Sequence, residues 1–89
     1  MEGYLEIRKK TDGVFEFENF KKRYFILNAG ILKFLKKKGQ MFIGQIHLSI
    51  SKIEASSNNG NEFCIDTGTQ KYEIRSENKV LIRQWFNAM

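Results

Sequence analysis

The sequence predicts a mainly β domain: seven antiparallel strands in a small curved barrel or sandwich, capped by one C-terminal α-helix. Short segments alternate apolar and polar residues with the period of a half-buried strand. Turn residues separate these segments, and the chain contains no proline. After residue 76 the apolar period changes to that of a helix.

The first strand, "GYLEIRKK", puts Leu5, Ile7 and Lys9 on one side and Glu6, Arg8 and Lys10 on the other. "TDG" at 11–13 is a turn signal. "VFEFENF" alternates again, either extending the first hairpin or forming a structured loop. The second main strand, "KKRYFIL", runs from about Phe20 to Leu27, and the "NAG" turn at 28–30 leads into "ILKFL". "KKKGQ" is a basic break. "IGQIHLS" and "KIEAS" read as the fourth and fifth strands, followed by a turn in "SNNGN" at 57–61. "EFCID" is the sixth strand, and "QKYEIR" is the seventh, with Tyr72 and Ile74 facing one way. Ser76 is the expected helix cap. Leu81, Trp85, Ala88 and Met89 then form an apolar stripe. So short a helix is marginal alone, so its stripe must rest on the strands and close one end of the barrel.

A chain of 89 residues fits one domain with a modest core, and this one is expected to be a single domain excised from a longer protein. Its one cysteine, Cys64, excludes an internal disulfide and any cysteine-based zinc cluster, and it fits a reducing compartment. No apolar run approaches the roughly 20 residues that span a bilayer. The first ten residues carry two glutamates and three cations where a secretion signal needs an apolar stretch. The net charge is +5, unevenly spread: residues 1–40 hold ten cations and five acids, and residues 41–89 hold five of each. A localised positive field attracts phosphate, nucleic acid or an acidic membrane surface, although spare lysines on a solvated face give the same total.

Nothing in the sequence composes a catalytic site. His47 is the only histidine, and a lone thiol such as Cys64 is more often a small buried hydrophobe than half of a Cys–His pair. The carboxylates are scattered, and no glycine-rich loop precedes a helix. Neither an enzyme, a metal site nor a cofactor is expected. Nucleic acid is not an expected partner either, because paired aromatic-basic strand motifs are missing.

Strand parity gives a sharper expectation. Lys21, Arg23, Phe25 and Leu27 share one face of the second strand. Phe25 and Leu27 should build the core, which leaves Lys21 and Arg23 inward-facing at the strand's open beginning. The end of the first strand lies beside it in an antiparallel pair, so Lys9 should converge on Lys21 and Arg23. Three adjacent cations repel one another unless an anion sits among them. Lysine supplies mobile point charge and arginine a planar fork, which suits inositol phosphates. Arg8, Lys10, Lys22, Lys36, Lys37 and Lys38 would add longer-range attraction. Val14, Phe15, Phe17 and Phe20 are apolar neighbours of this rim and candidates for contact with a membrane interface. The alternatives are a solvated hairpin tip whose lysines snorkel over apolar neighbours, and loop aromatics folded back as satellite core.

The chain resembles a pleckstrin homology domain over nearly its whole length. "EGYLEIRK" is similar to the family's opening Gly-x-Leu strand, and "FKKRYFIL" to its aromatic-basic second strand. "GILKF" resembles the third strand, and "RQWFNAM" the end of the closing helix, with Trp85 at the family's near-invariant tryptophan. The order of segments looks nearest to the domains of oxysterol-binding, lipid-transfer and Golgi adaptor proteins. The resemblance implies a seven-stranded barrel with a helical cap, and reversible binding of phosphoinositide headgroups at its open end. Lys21 and Arg23 match the family's second-strand basic motif. The usual first-strand lysine position holds Ile7, with Lys9 one step further toward the rim, and Phe34 stands where tight binders often carry a phosphate-contacting tyrosine. The expected role is therefore a monomeric, cytoplasmic module, reversibly peripheral on a cytosolic membrane face such as Golgi or plasma membrane. The alternative is a protein-interaction module for a partner such as a small GTPase, with Ile82 and Phe86 marking its surface if exposed.

Overall fold

The computed structural model describes residues 1–10, 19–55 and 60–89, with the backbone alone for Lys10. Its elements in chain order are β1 (Glu2–Lys10), β2 (Lys21–Asn28), β3 (Ile31–Leu35), β4 (Phe42–His47), a 3-10 turn (Leu48–Ile50), β5 (Lys52–Ala55), β6 (Glu62–Asp66), β7 (Lys71–Arg75) and α1 (Lys79–Ala88). The strands are all antiparallel and form one sheet in the order β4-β3-β2-β1-β7-β6-β5. The sheet folds over itself as a sandwich. Among the described residues no ladder joins β4 to β5, so the sheet does not close into a true barrel.

The predicted parity governs the core. Inner-face residues lie opposite one another across successive strands: Gly44, Phe34, Phe25 and Gly3 in one rung, and Lys21, Ile7, Ile74 and Phe63 in another. Their apolar members meet Leu5, Leu32, Ile46, Ile65, Ile82 and Trp85 in a single buried cluster. Gly44 leaves room for this packing: a β-carbon there would come within 2.8 Å of the Phe34 ring tip.

The helix differs from its sequence reading in cap and phase. Asn78, rather than Ser76, is the cap; its Oδ1 accepts from the Val80 and Leu81 N–H groups at 3.0 and 3.2 Å. Ser76 acts one step earlier, where its hydroxyl accepts from the Asn78 N–H. The buried face carries Ile82 and Trp85, with Leu81, Phe86 and Met89 partly buried beside them, while Ala88 is exposed. Trp85 meets Phe25 edge-on, and Phe86 meets Phe63 edge-on. Ile82 and Phe86 therefore belong to the core packing and do not mark an exposed partner surface.

The β2–β3 turn contains a testable strain. Ala29 and Gly30 both take positive φ, at 52° and 75°. This backbone suits a two-residue hairpin, but it disfavours any residue with a β-carbon except Asn and Asp. Ala29→Asn is expected to stabilise the domain by about 1 kcal/mol, raising Tm by about 4–8 °C in a thermal melt.

Candidate functional site

An open cleft of about 200 Å³ lies where β1 ends and β2 begins, lined by Ile7, Arg8, Lys9, Lys21, Arg23, Phe34, Ile43 and Tyr72. The strand registers explain its composition. Lys21 lies opposite Ile7, Arg23 opposite Leu5, and Lys9 opposite Tyr72. Lys21 and Arg23 thus lie opposite core residues, and Lys9 lies opposite the partly buried Tyr72. Ile7 and Phe34 are buried and form the apolar base. Lys9 and Lys21 are exposed, and Arg23 is half-buried, with one guanidinium nitrogen donating to the Lys22 carbonyl at 3.0 Å.

The remaining cations are spread over other surfaces, and no continuous basic rim runs along β1 and β2. Arg8 contributes to the cleft wall, but its Nε donates to Glu73 at 3.1 Å and its guanidinium stacks over Phe20. Arg75 covers Phe20 as well, at 3.8 Å from the ring centre, and pairs with Glu6. Phe20 is thereby contacted by two guanidinium groups and does not line the cleft. Val14, Phe15 and Phe17 lie outside the described residues, as does the side chain of Lys10.

Lys22, Lys36 and Lys37 line a second groove of about 270 Å³ with Tyr4 and Arg23, on the outer side of the sheet. Tyr4 in that lining meets Tyr24 edge-on, with Lys22 over the Tyr4 ring and Lys38 over the Tyr24 ring. Burial, and then the nearby Glu2, pushes the Tyr24 phenol above its ordinary range. Among the described residues Arg23 alone lines both openings.

Four lining residues stand outside the site expected from sequence: Ile7 and Phe34, which appear there only as departures from the family motif, and Tyr72 and Ile43, which have no site role there. Tyr72 faces the same way as Ile74, as its alternation predicts, but its place beside Lys9 depends on β7 pairing with β1. Among the described residues it supplies the single hydroxyl in the cleft lining, and it meets Phe34 edge-on. Ile43 reaches the cleft because the β3–β4 ladder shifts there: Phe34 pairs with Gly44, but Leu35 pairs with Phe42. A bulge of this kind re-aims the extra residue.

His47 and Cys64 stand on β4 and β6, strands that are not neighbours in the sheet. Among the described residues no three His, Cys, Asp or Glu side chains are grouped as metal ligands. No described helix is long and apolar enough to cross a membrane.

Comparisons with known proteins agree with this architecture. The family model described as the pleckstrin homology domain matches residues 5–89. No curated protein matches the chain. Among solved structures, the pleckstrin homology domain of ArhGAP27 is similar at 18% identity and a TM-score of 0.80, over 99% of this chain and 93% of that one. The C-terminal domain of pleckstrin, in complex with D-myo-Ins(1,2,3,4,5)P5, is similar at 23% identity and 0.77, over 99% and 90%. The domain of human oxysterol-binding protein-related protein 11 is similar at 21% identity and 0.70, over 99% and 76%. The expected nearness to the oxysterol-binding subgroup is therefore not distinguished from likeness to other members.

Proposed function

The chain belongs to the pleckstrin homology domain family, a family of non-catalytic interaction modules, and from that membership we propose that it is a membrane-recruitment domain taking phosphoinositide headgroups in the β1–β2–β7 cleft. The observation that carries this reading is the cleft lining itself, where Lys9, Lys21 and Arg23 surround one open volume. The cations are the phosphate ligands: Arg23 offers a fork, and the two lysines offer mobile charge. The Tyr72 hydroxyl stands in for the phenol that Phe34 lacks on the third strand. The apolar base of Ile7 and Phe34 keeps the site shallow, so the phosphates meet the cations at the mouth. The likeness to a pleckstrin domain solved with an inositol pentakisphosphate supports the same ligand class. Binding in this way would make the domain reversibly peripheral on a cytosolic membrane face.

Liposome sedimentation across mono-, bis- and trisphosphorylated inositides, at low and moderate salt, tests the proposal. Uptake should discriminate among the inositides and weaken as salt rises, since the screening length falls to about 8 Å at 0.15 M. Equal uptake on every acidic liposome would reduce the site to unspecific charge. No uptake on any of them would move the function to a protein partner.

A further inference from the structure

We propose that the β3–β4 loop and the start of β4 form a preformed membrane wedge, in which Met41, Phe42 and Ile43 enter the interface of an anionic bilayer while Lys36, Lys37 and Lys38 lie at headgroup level. This rests on the membrane reading of the neighbouring cleft and adds a second contact surface to it.

Met41, Phe42 and Ile43 are consecutive, large and apolar, and they are 71%, 54% and 43% exposed. Regular strand alternation would turn one of Phe42 and Ile43 inward. The ladder shift at Phe34/Leu35 cancels that alternation and leaves both side chains outside the core. Single exposed hydrophobes are ordinary, but three consecutive ones that follow a run of exposed lysines are the composition of an interaction surface.

The loop is already held in shape. The Lys36 N–H donates to the Met41 carbonyl at 2.9 Å, and the Gln40 N–H donates to the Lys37 carbonyl at 2.9 Å. The Lys38 N–H donates to the Tyr4 hydroxyl at 3.1 Å, which ties the loop tip to β1. A surface fixed before binding loses little conformational entropy on docking.

A lipid surface is the occupant that fits. Ile43 also lines the cation cleft, so the apolar patch is continuous with the cleft mouth. Three exposed lysines precede the patch in the chain, and basic residues near an anionic leaflet are drawn to it. Apolar side chains beside such charge match the layering of a bilayer interface.

Phe42→Trp provides a direct reporter, because the native Trp85 is fully buried and is a constant background. On vesicles of phosphatidylcholine, phosphatidylserine and a phosphatidylinositol phosphate, the introduced indole should shift its emission to the blue. Lipids brominated on their acyl chains should quench it. The double substitution Met41→Ser and Phe42→Ser should weaken vesicle affinity about ten- to hundredfold. It should leave affinity for soluble inositol hexakisphosphate unchanged. Sedimentation on vesicles with a water-exposed, unquenched indole would overturn the wedge and leave the cleft reading intact. Inositol hexakisphosphate binding without vesicle binding would have the same meaning. Quenching without any soluble-ligand affinity would support the wedge and overturn the cleft. A concentration-dependent dimer dissolved by the double substitution would assign the patch to a second copy of the chain and overturn the proposal.

Discussion

Trp85→Ala is expected to cost about 3–5 kcal/mol and lower Tm by about 12 °C or more. Trp85 is fully buried and meets Phe25 edge-on, while its neighbour Phe86 meets Phe63. It thus joins the β1–β2 side of the sandwich to the helix that also packs on β6. Removing the indole leaves a cavity that the strands cannot collapse to fill. An 89-residue domain has roughly 4–13 kcal/mol of total stability, so the loss is a large share of it. A urea titration followed by circular dichroism would read the change, with Ala29→Asn as the opposing control.

Arg23→Glu should leave that stability nearly unchanged while weakening phosphoinositide binding by about ten- to hundredfold. Arg23 is half-buried at the cleft mouth and bonds to the neighbouring Lys22 carbonyl, outside the buried apolar cluster. A carboxylate there removes the phosphate fork and repels the ligand. Because Arg23 also lines the outer groove, Lys21→Glu separates the two openings: Lys21 lines the inner cleft alone. Equal losses from the two reversals would place the phosphates in the inner cleft. A loss confined to Arg23→Glu would point to the outer groove shared with Lys36 and Lys37.

Most of this architecture was legible in the sequence because a strand's two faces strictly alternate. Leu5, Phe25 and Ile74 reach the core, and Lys9, Lys21 and Arg23 share their faces at the strand ends, as alternation predicts. What alternation could not supply was long-range pairing. Tyr72 becomes a cleft residue only when β7 returns beside β1. The exposed Phe42 and Ile43 follow from a register shift that no local pattern announces. The helix phase failed for a related reason. Leu81 and Ile82 are adjacent and apolar, so two stripes through Trp85 were available, and contact with the strands selects the one containing Ile82. The Asn78 cap lies between two residues of good propensity, and only its bonds to Val80 and Leu81 settle where the helix begins. The hairpin aromatics are natural candidates for a membrane contact from sequence, yet the Phe20 ring is covered by the Arg8 and Arg75 guanidinium groups.

The cation cleft can be tested apart from any bilayer by titrating soluble inositol hexakisphosphate into the isotopically labelled domain and following the backbone amide resonances. The predicted shifts concentrate at Ile7, Lys9, Lys21, Arg23 and Tyr72, and Lys21→Glu abolishes them. Shifts confined to Tyr4, Lys22, Lys36 and Lys37, or no saturable shifts at all, would contradict a phosphate site in the cleft.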